Sequence, residues 1–186
     1  MNETVGVILS KNASNGNKEG LNSRLLAAFL KDPTRSMREL AKELDSYRQT
    51  IWRKKKRMEE ENIIWGYTAV IDEAKLGKGT FLVLMKMKPM IEGLADIMVK
   101  RIKRNEPGKM NIRLIDAFQV NGEYDWIIRF SAPDHTTART YFDTLRAVYA
   151  DHLLEKPVMV DVNFVLVAEG KTNPEIDRLF DLVISA

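Results

Sequence analysis

The sequence predicts an α+β chain in two parts, three helices with a small wing and then a βαββαβ domain. Three observations carry this. Apolar residues recur at helical spacing three times within the first sixty positions, the last time in a helix dense with cations. A β-rich stretch at 63–72 follows that helix at once, and from Phe81 onward alternating and helical stretches succeed one another in the order βαββαβ.

Residues 47–61, YRQTIWRKKKRMEEE, contain no Gly or Pro and consist mostly of good helix formers. Arg48, Arg53, Lys54, Lys55, Lys56 and Arg57 put six cations into ten positions, a surface suited to a polyanion. Ile51 and Met58 share one stripe and anchor the helix to a core, with the stem of Lys55 filling in between. Upstream, Ser36 and Glu39 have the spacing of a capping box, and Met37, Leu40, Ala41 and Leu44 form the apolar stripe of a shorter helix. Asp45 and Ser46 turn from one helix to the other. That is the layout of a helix-turn-helix whose second helix enters a major groove.

Before it, residues 21–31 form a helix with Leu21, Leu25, Leu26, Ala28 and Phe29 on one broad face, stopped by Asp32, Pro33 and Thr34. The first twenty residues are rich in Asn, Ser, Gly and Lys and read as a flexible tail, although Val5 to Leu9 is a short apolar run. After the basic helix the stretch 63–72 reads as the wing, and the Lys-Leu-Gly-Lys-Gly run at 75–79 turns away from it. The tail thus covers 1–20, and a winged helix-turn-helix with its linker covers 21–80.

The second part begins with a strand at 81–88, with Phe81, Val83, Met85 and Met87 on one face. A helix at 91–105 follows. Strands at 112–120 and 124–131 are joined by Asn121-Gly122, a strong hairpin signal. Ala138, Tyr141, Phe142, Leu145, Val148 and Tyr149 mark a second helix, and Val158, Val160, Val162, Phe164 and Leu166 share one face of a final strand. The order is that of a ferredoxin-like split sandwich over 81–168, with 169–186 as a helical extension.

The chain has 186 residues, 45% of them hydrophobic, and a net charge of +3 that is unevenly spread. Residues 1–80 hold 15 Lys+Arg against 11 Asp+Glu, and residues 81–186 hold 14 against 15. The basic half is the half with the candidate recognition helix. No run approaches the ~18 apolar residues of a membrane span, and no signal pattern opens the chain, so a cytoplasmic location and no membrane partner are expected. Zero cysteines exclude thiolate catalysis and every Cys-based metal site, and two isolated histidines offer little for a His-based one. No cofactor, metal or catalytic residue is expected.

The run RELAKEL at 38–44, Thr50-Ile51, and MEEENIIWGYTAVID at 58–72 with the Leu-Gly turn after it resemble the leucine-responsive regulatory protein/AsnC family of feast/famine regulators. The resemblance extends from Leu21 to Val167. It implies a transcriptional regulator built from a winged helix-turn-helix and a ferredoxin-like effector-binding domain, assembled as a homodimer or as a tetramer or octamer of dimers. In this family Asn62 stands where a Gly is common. The Gly122 to Asp125 turn looks like the family's Gly-x-x-Asp element, which implies an amino-acid effector held near Gly122, Tyr124 and Asp125. A hairpin alone also accounts for that turn.

On double-stranded DNA, Gln49, Thr50 and Arg53 are placed to meet base edges, with Arg48 able to reach base or phosphate. Lys54, Lys56 and Arg57 are expected on phosphates, and Trp52 is expected to pack inward. Dimerisation is expected from the first strand and sheet face of the effector domain, through Phe81, Val83 and Met85, which also read as ordinary core. Two other functions fit a chain of this layout: an amino-acid-sensing assembly module without DNA binding, and an enzyme resembling siroheme decarboxylases. The dense basic helix argues against the enzyme, and loss of DNA binding under every condition would favour the sensing module.

Overall fold

A computed structural model describes residues 16–183. The chain divides into two compact units, one ending at Ala69 and one beginning at Val70. The division expected at 80 and 81 falls earlier because Glu73 is buried within the second unit, its carboxylate held by Arg113.

The first unit is three helices, α1 (Gly16–Lys31), α2 (Met37–Glu43) and α3 (Arg48–Glu60). The expected tail at 1–20 therefore gives way to helix from Gly16, and its earlier part, with the Val5 to Leu9 run, lies outside the described residues. Leu25, Phe29, Leu40, Leu44, Ile51 and Met58 form one buried cluster. Burying each such side chain contributes roughly 1.5–3 kcal/mol.

After α3 the outcome differs from the wing. Residues 64–72 form no strand and pair with no other strand among the described residues. The helix ends with Ile63 and Ile64 both donating their N–H groups to the Met58 carbonyl. Asn62 takes the left-handed conformation at φ 56°, which Asn tolerates and which explains why a Gly suits this position.

The second unit has strands β1 (Gly79–Met85), β2 (Arg113–Gln119), β3 (Trp126–Ala132) and β4 (Val158–Asp161), with helices α4 (Glu92–Lys103), α5 (Glu106–Lys109) and α6 (His135–Val148). The sheet order is β2-β3-β1-β4 with every pair antiparallel, as a ferredoxin-like split sandwich requires. Asp134 caps α6 by accepting the Thr137 N–H at 2.6 Å.

Phe81, Val83 and Met85 are fully buried with Phe130, Tyr141, Phe142 and Leu145, so they are core and not an interface. The opposite sheet face carries Leu84 between Ile127 and Val158, and Leu82 between Arg129 and Val160. Alternation along β1 defines two faces, and the helices cover the one that had been assigned to the partner.

The β2 to β3 connection is longer than the two-residue turn expected at Asn121-Gly122, since the Val120 N–H donates to the Asp125 carbonyl across it. The last strand stops at Asp161. Instead of continuing to Val167, the chain forms a separate hairpin, β5 (Val167–Ala168) and β6 (Lys171–Thr172), turned through Glu169 at φ 48° and Gly170 at φ 71°. The expected helical C-terminal extension is a 3-10 helix at Ile176–Leu182.

Candidate nucleic-acid interface

The interface is set by how α2 delivers α3. Ser36 opens α2 with a complete capping box: its hydroxyl accepts the Glu39 N–H at 3.2 Å, and the Glu39 carboxylate accepts the Ser36 N–H at 2.8 Å. Those bonds hold the Glu39 carboxyl below the usual carboxylate range. Asp45, left-handed at φ 50°, and the Ser46 N–H, which donates to the Ala41 carbonyl, make the turn. Tyr47 then starts α3 without any side-chain cap.

Only Ile51 and Met58 of α3 are buried. The charges run against the helix dipole, which favours acid first and base last. Arg48 stands in a first turn with no acid, and Glu59, Glu60 and Glu61 crowd the other end. The helix therefore owes its stability to its packed stripe, and the order of charges serves something else.

The cations fall into two groups. Lys55 pairs with Glu59 at 3.4 Å, Lys56 with Glu60 at 3.6 Å and Arg57 with Glu61 at 2.7 Å, and Lys54 donates to Asn22 on α1 at 2.6 Å. Arg48, Gln49 and Arg53 have no ion-pair or side-chain hydrogen-bond partner among the described residues and stand exposed on the first two turns, with Thr50 half-buried beside them. The residues read as base-reading thus form the open end of the helix. Of those read as phosphate-binding, Lys56 and Arg57 are engaged with neighbouring carboxylates and Lys54 with Asn22.

Trp52 does not pack inward. Its ring is 54% exposed, with the Lys56 ammonium 5.4 Å from the ring centroid. Tyr47, 84% exposed, reaches solvent at the turn, and Arg38 is exposed in the first turn of α2. Sequence reasoning passed over both, although Arg38 lies inside RELAKEL and Tyr47 directly precedes the basic helix. On the other flank Tyr67 braces α3: its ring packs edge-on to Phe29 at 6.0 Å, and its hydroxyl donates to Glu59 at 3.2 Å. Burial and then the Glu59 carboxylate push its phenol up to about 12.

In the second unit Gly122, Tyr124 and Asp125 lie together in the β2 to β3 loop. Asp125 is engaged by backbone: its carboxylate accepts the Met87 N–H at 2.7 Å, and its own N–H donates to the Met85 carbonyl at 2.9 Å. On the neighbouring strands Asp116 pairs with Arg129 at 2.6 Å. Gly122 is exposed, and a Cβ there would meet open space.

A family model described as winged helix-turn-helix DNA-binding matches residues 21–64, the span of the three helices. An uncharacterized HTH-type transcriptional regulator of Pyrococcus abyssi is 29% identical over 108 residues, covering 58% of this chain and 68% of its own. The leucine response regulatory protein of Mycobacterium tuberculosis superposes with a TM-score of 0.64 at 15% identity, over 83% of this chain and 98% of that one. An AsnC family transcriptional regulator from Agrobacterium tumefaciens does so with a TM-score of 0.59 at 16% identity, over 83% and 96%. No helix among the described residues is long and apolar enough to cross a membrane.

Proposed function

We propose that this chain, which carries a winged helix-turn-helix DNA-binding domain and has the fold of the Lrp/AsnC regulators, is a sequence-specific transcriptional regulator acting as a homodimer. The observation that carries the reading is the open end of α3. Arg48, Gln49 and Arg53 are exposed and unpaired there, and a capped α2 and a rigid turn fix their direction. Gln pairs with adenine and Arg with guanine in a major groove. Tyr47 and Trp52 border that end, and with exposed Arg38 of α2 they add phosphate and sugar contacts.

Lys54, Lys56 and Arg57 reach phosphates by exchanging Asn22, Glu60 and Glu61 for the backbone of the duplex. One recognition helix reads only a few base pairs, so specificity requires two, on half-sites about 34 Å or a multiple apart. The second comes from a copy docked on the sheet face of Leu84, Ile127, Val158 and Val160, where Val158 and Val160 remain exposed. An amino-acid effector meets the exposed backbone at Gly122 and the side chain of Tyr124, while Asp125 holds the loop in place through Met87. The protein is not an enzyme in this reading, and it works in the cytoplasm.

The test is fluorescence anisotropy on duplex fragments from the region upstream of its own coding sequence, titrated with salt, for the wild type and an Arg48→Ala, Arg53→Ala variant. The wild type binds with log affinity falling by about 0.9 per phosphate contact for each unit of log salt. The variant loses most of that affinity. Equal, weak binding by both would overturn the reading.

A further inference from the structure

The second unit encloses a cavity of about 110 Å³ under α4 and α6, at the β2 edge of the sheet. Met98, Ile102, Leu114, Phe118, Trp126 and Leu145 supply apolar wall, and Phe118 and Ile102 are both more than half exposed at its mouth. Its polar groups are few. Arg101, Tyr141 and Tyr149 all line it.

Tyr141 is 2% exposed and its hydroxyl has no hydrogen-bond partner among the described residues. Burial pushes its phenol up to about 12, against the pull of Arg101, and burial raises Tyr149 as well. Both phenols therefore stay protonated and able to donate at neutral pH. The Arg101 guanidinium, half-buried and in no ion pair among the described residues, stands close enough to lower both. Two phenols that stay protonated and a guanidinium in no ion pair among the described residues thus line one cavity as donors suited to an acceptor.

We propose that this cavity binds a small carboxylic acid with a compact apolar body, its carboxylate held by Arg101 and the Tyr141 and Tyr149 hydroxyls. Each part of the ligand follows from the wall. Apolar cavities only slightly larger, of about 150 Å³, admit benzene, which limits the body to roughly five or six carbons. Guanidinium and phenol donors together select a carboxylate through charge-assisted bonds. No Asp or Glu lines the cavity, so the ammonium of an amino acid would enter without a counter-charge. Gly122, Tyr124 and Asp125 do not line it either, which separates this site from the effector loop.

The experiment is calorimetric titration of the full chain, without DNA, with 4-methylpentanoate, its amide and leucine, which carry one apolar body with three different heads. 4-Methylpentanoate binds, and the amide and leucine bind at least about tenfold more weakly. Arg101→Gln and the near-isosteric Tyr141→Phe each weaken the acid about tenfold or more, while near-ultraviolet circular dichroism confirms that Tyr141→Phe keeps its packing. Absence of binding at millimolar acid, equal binding of acid and leucine, or binding untouched by Tyr141→Phe would each overturn the proposal. Because no DNA is present, the outcome is independent of the regulator reading.

Discussion

The Arg113 Nε donates to the Glu73 carboxylate at 2.6 Å, and Glu73, which opens a 3-10 helix at Ala74–Leu76, is 6% exposed. One Glu73 oxygen takes the guanidinium, and the other is buried without a partner among the described residues. Removing the arginine strands a buried carboxylate, which costs about 3–5 kcal/mol. Arg113→Ala is therefore expected to destabilise the second unit by about 3 kcal/mol, and the double variant with Glu73→Leu to recover most of it. Urea denaturation of the three proteins, analysed as a double-mutant cycle, measures this.

Ser36→Ala removes the hydroxyl of the capping box and is expected to cost about 1 kcal/mol of helix-turn-helix stability at pH 7. The Glu39 side has a pH signature. Its folded carboxyl is depressed by the Ser36 bonds, so its contribution is fully present above the ordinary carboxylate range and is lost as the pH falls through its folded value. Denaturation of wild type and Glu39→Gln should differ at pH 7 and converge as the pH falls below the folded value of Glu39.

Lys56 and Arg57 are held by Glu60 and Glu61 four residues on. Replacing both carboxylates, Glu60→Gln and Glu61→Gln, frees two cations and removes two charges that repel phosphate. DNA affinity at low salt should rise several-fold, and the log-log salt dependence should steepen by between one and two contacts at about 0.9 each. Unchanged affinity would mean that this end of α3 lies away from the duplex.

Leu84 and Ile127 face each other across β1 and β3 on the sheet face away from the helices. A glutamate at either position puts a charge where a second copy would bury it. Leu84→Glu and Ile127→Glu should each sediment as monomers with native circular dichroism, and DNA affinity should fall with dimerisation. Dimers that persisted in both would place the contact elsewhere.

The helix-turn-helix was legible because its signals are local. Ser36 and Glu39 sit three apart, Ile51 and Met58 seven apart, and the bonds that use them lie within the same turns. The sheet was legible in its order but not in its sides, since the alternation of Phe81, Val83 and Met85 is identical whether helices or a partner cover it. The strand expected in the wing is absent for a related reason. Residues 63–72 have β-rich composition, but a strand needs a neighbour, and they pair with no other strand among the described residues. Nothing near Glu73 in sequence marks it as buried, because its partner comes from β2, forty residues on. The cavity was hidden in residues that each read as core: Tyr141 and Tyr149 continue the apolar stripe of α6, and only the fold shows that both line one cavity with Arg101.

The chain's three tryptophans stand in three unlike surroundings. Trp126 is 4% exposed against Tyr149, Trp52 is half in water beside Lys56, and Trp65 is 94% exposed, held by one hydrogen bond from its indole nitrogen to the Asn62 carbonyl. Their emission should separate accordingly, blue for the first and red for the last. A quencher dissolved in the buffer would darken Trp65 at once and Trp126 scarcely at all. Bound DNA would shield Trp52, and an acid in the cavity would shift Trp126, so a single unlabelled sample reports on each unit by its own colour.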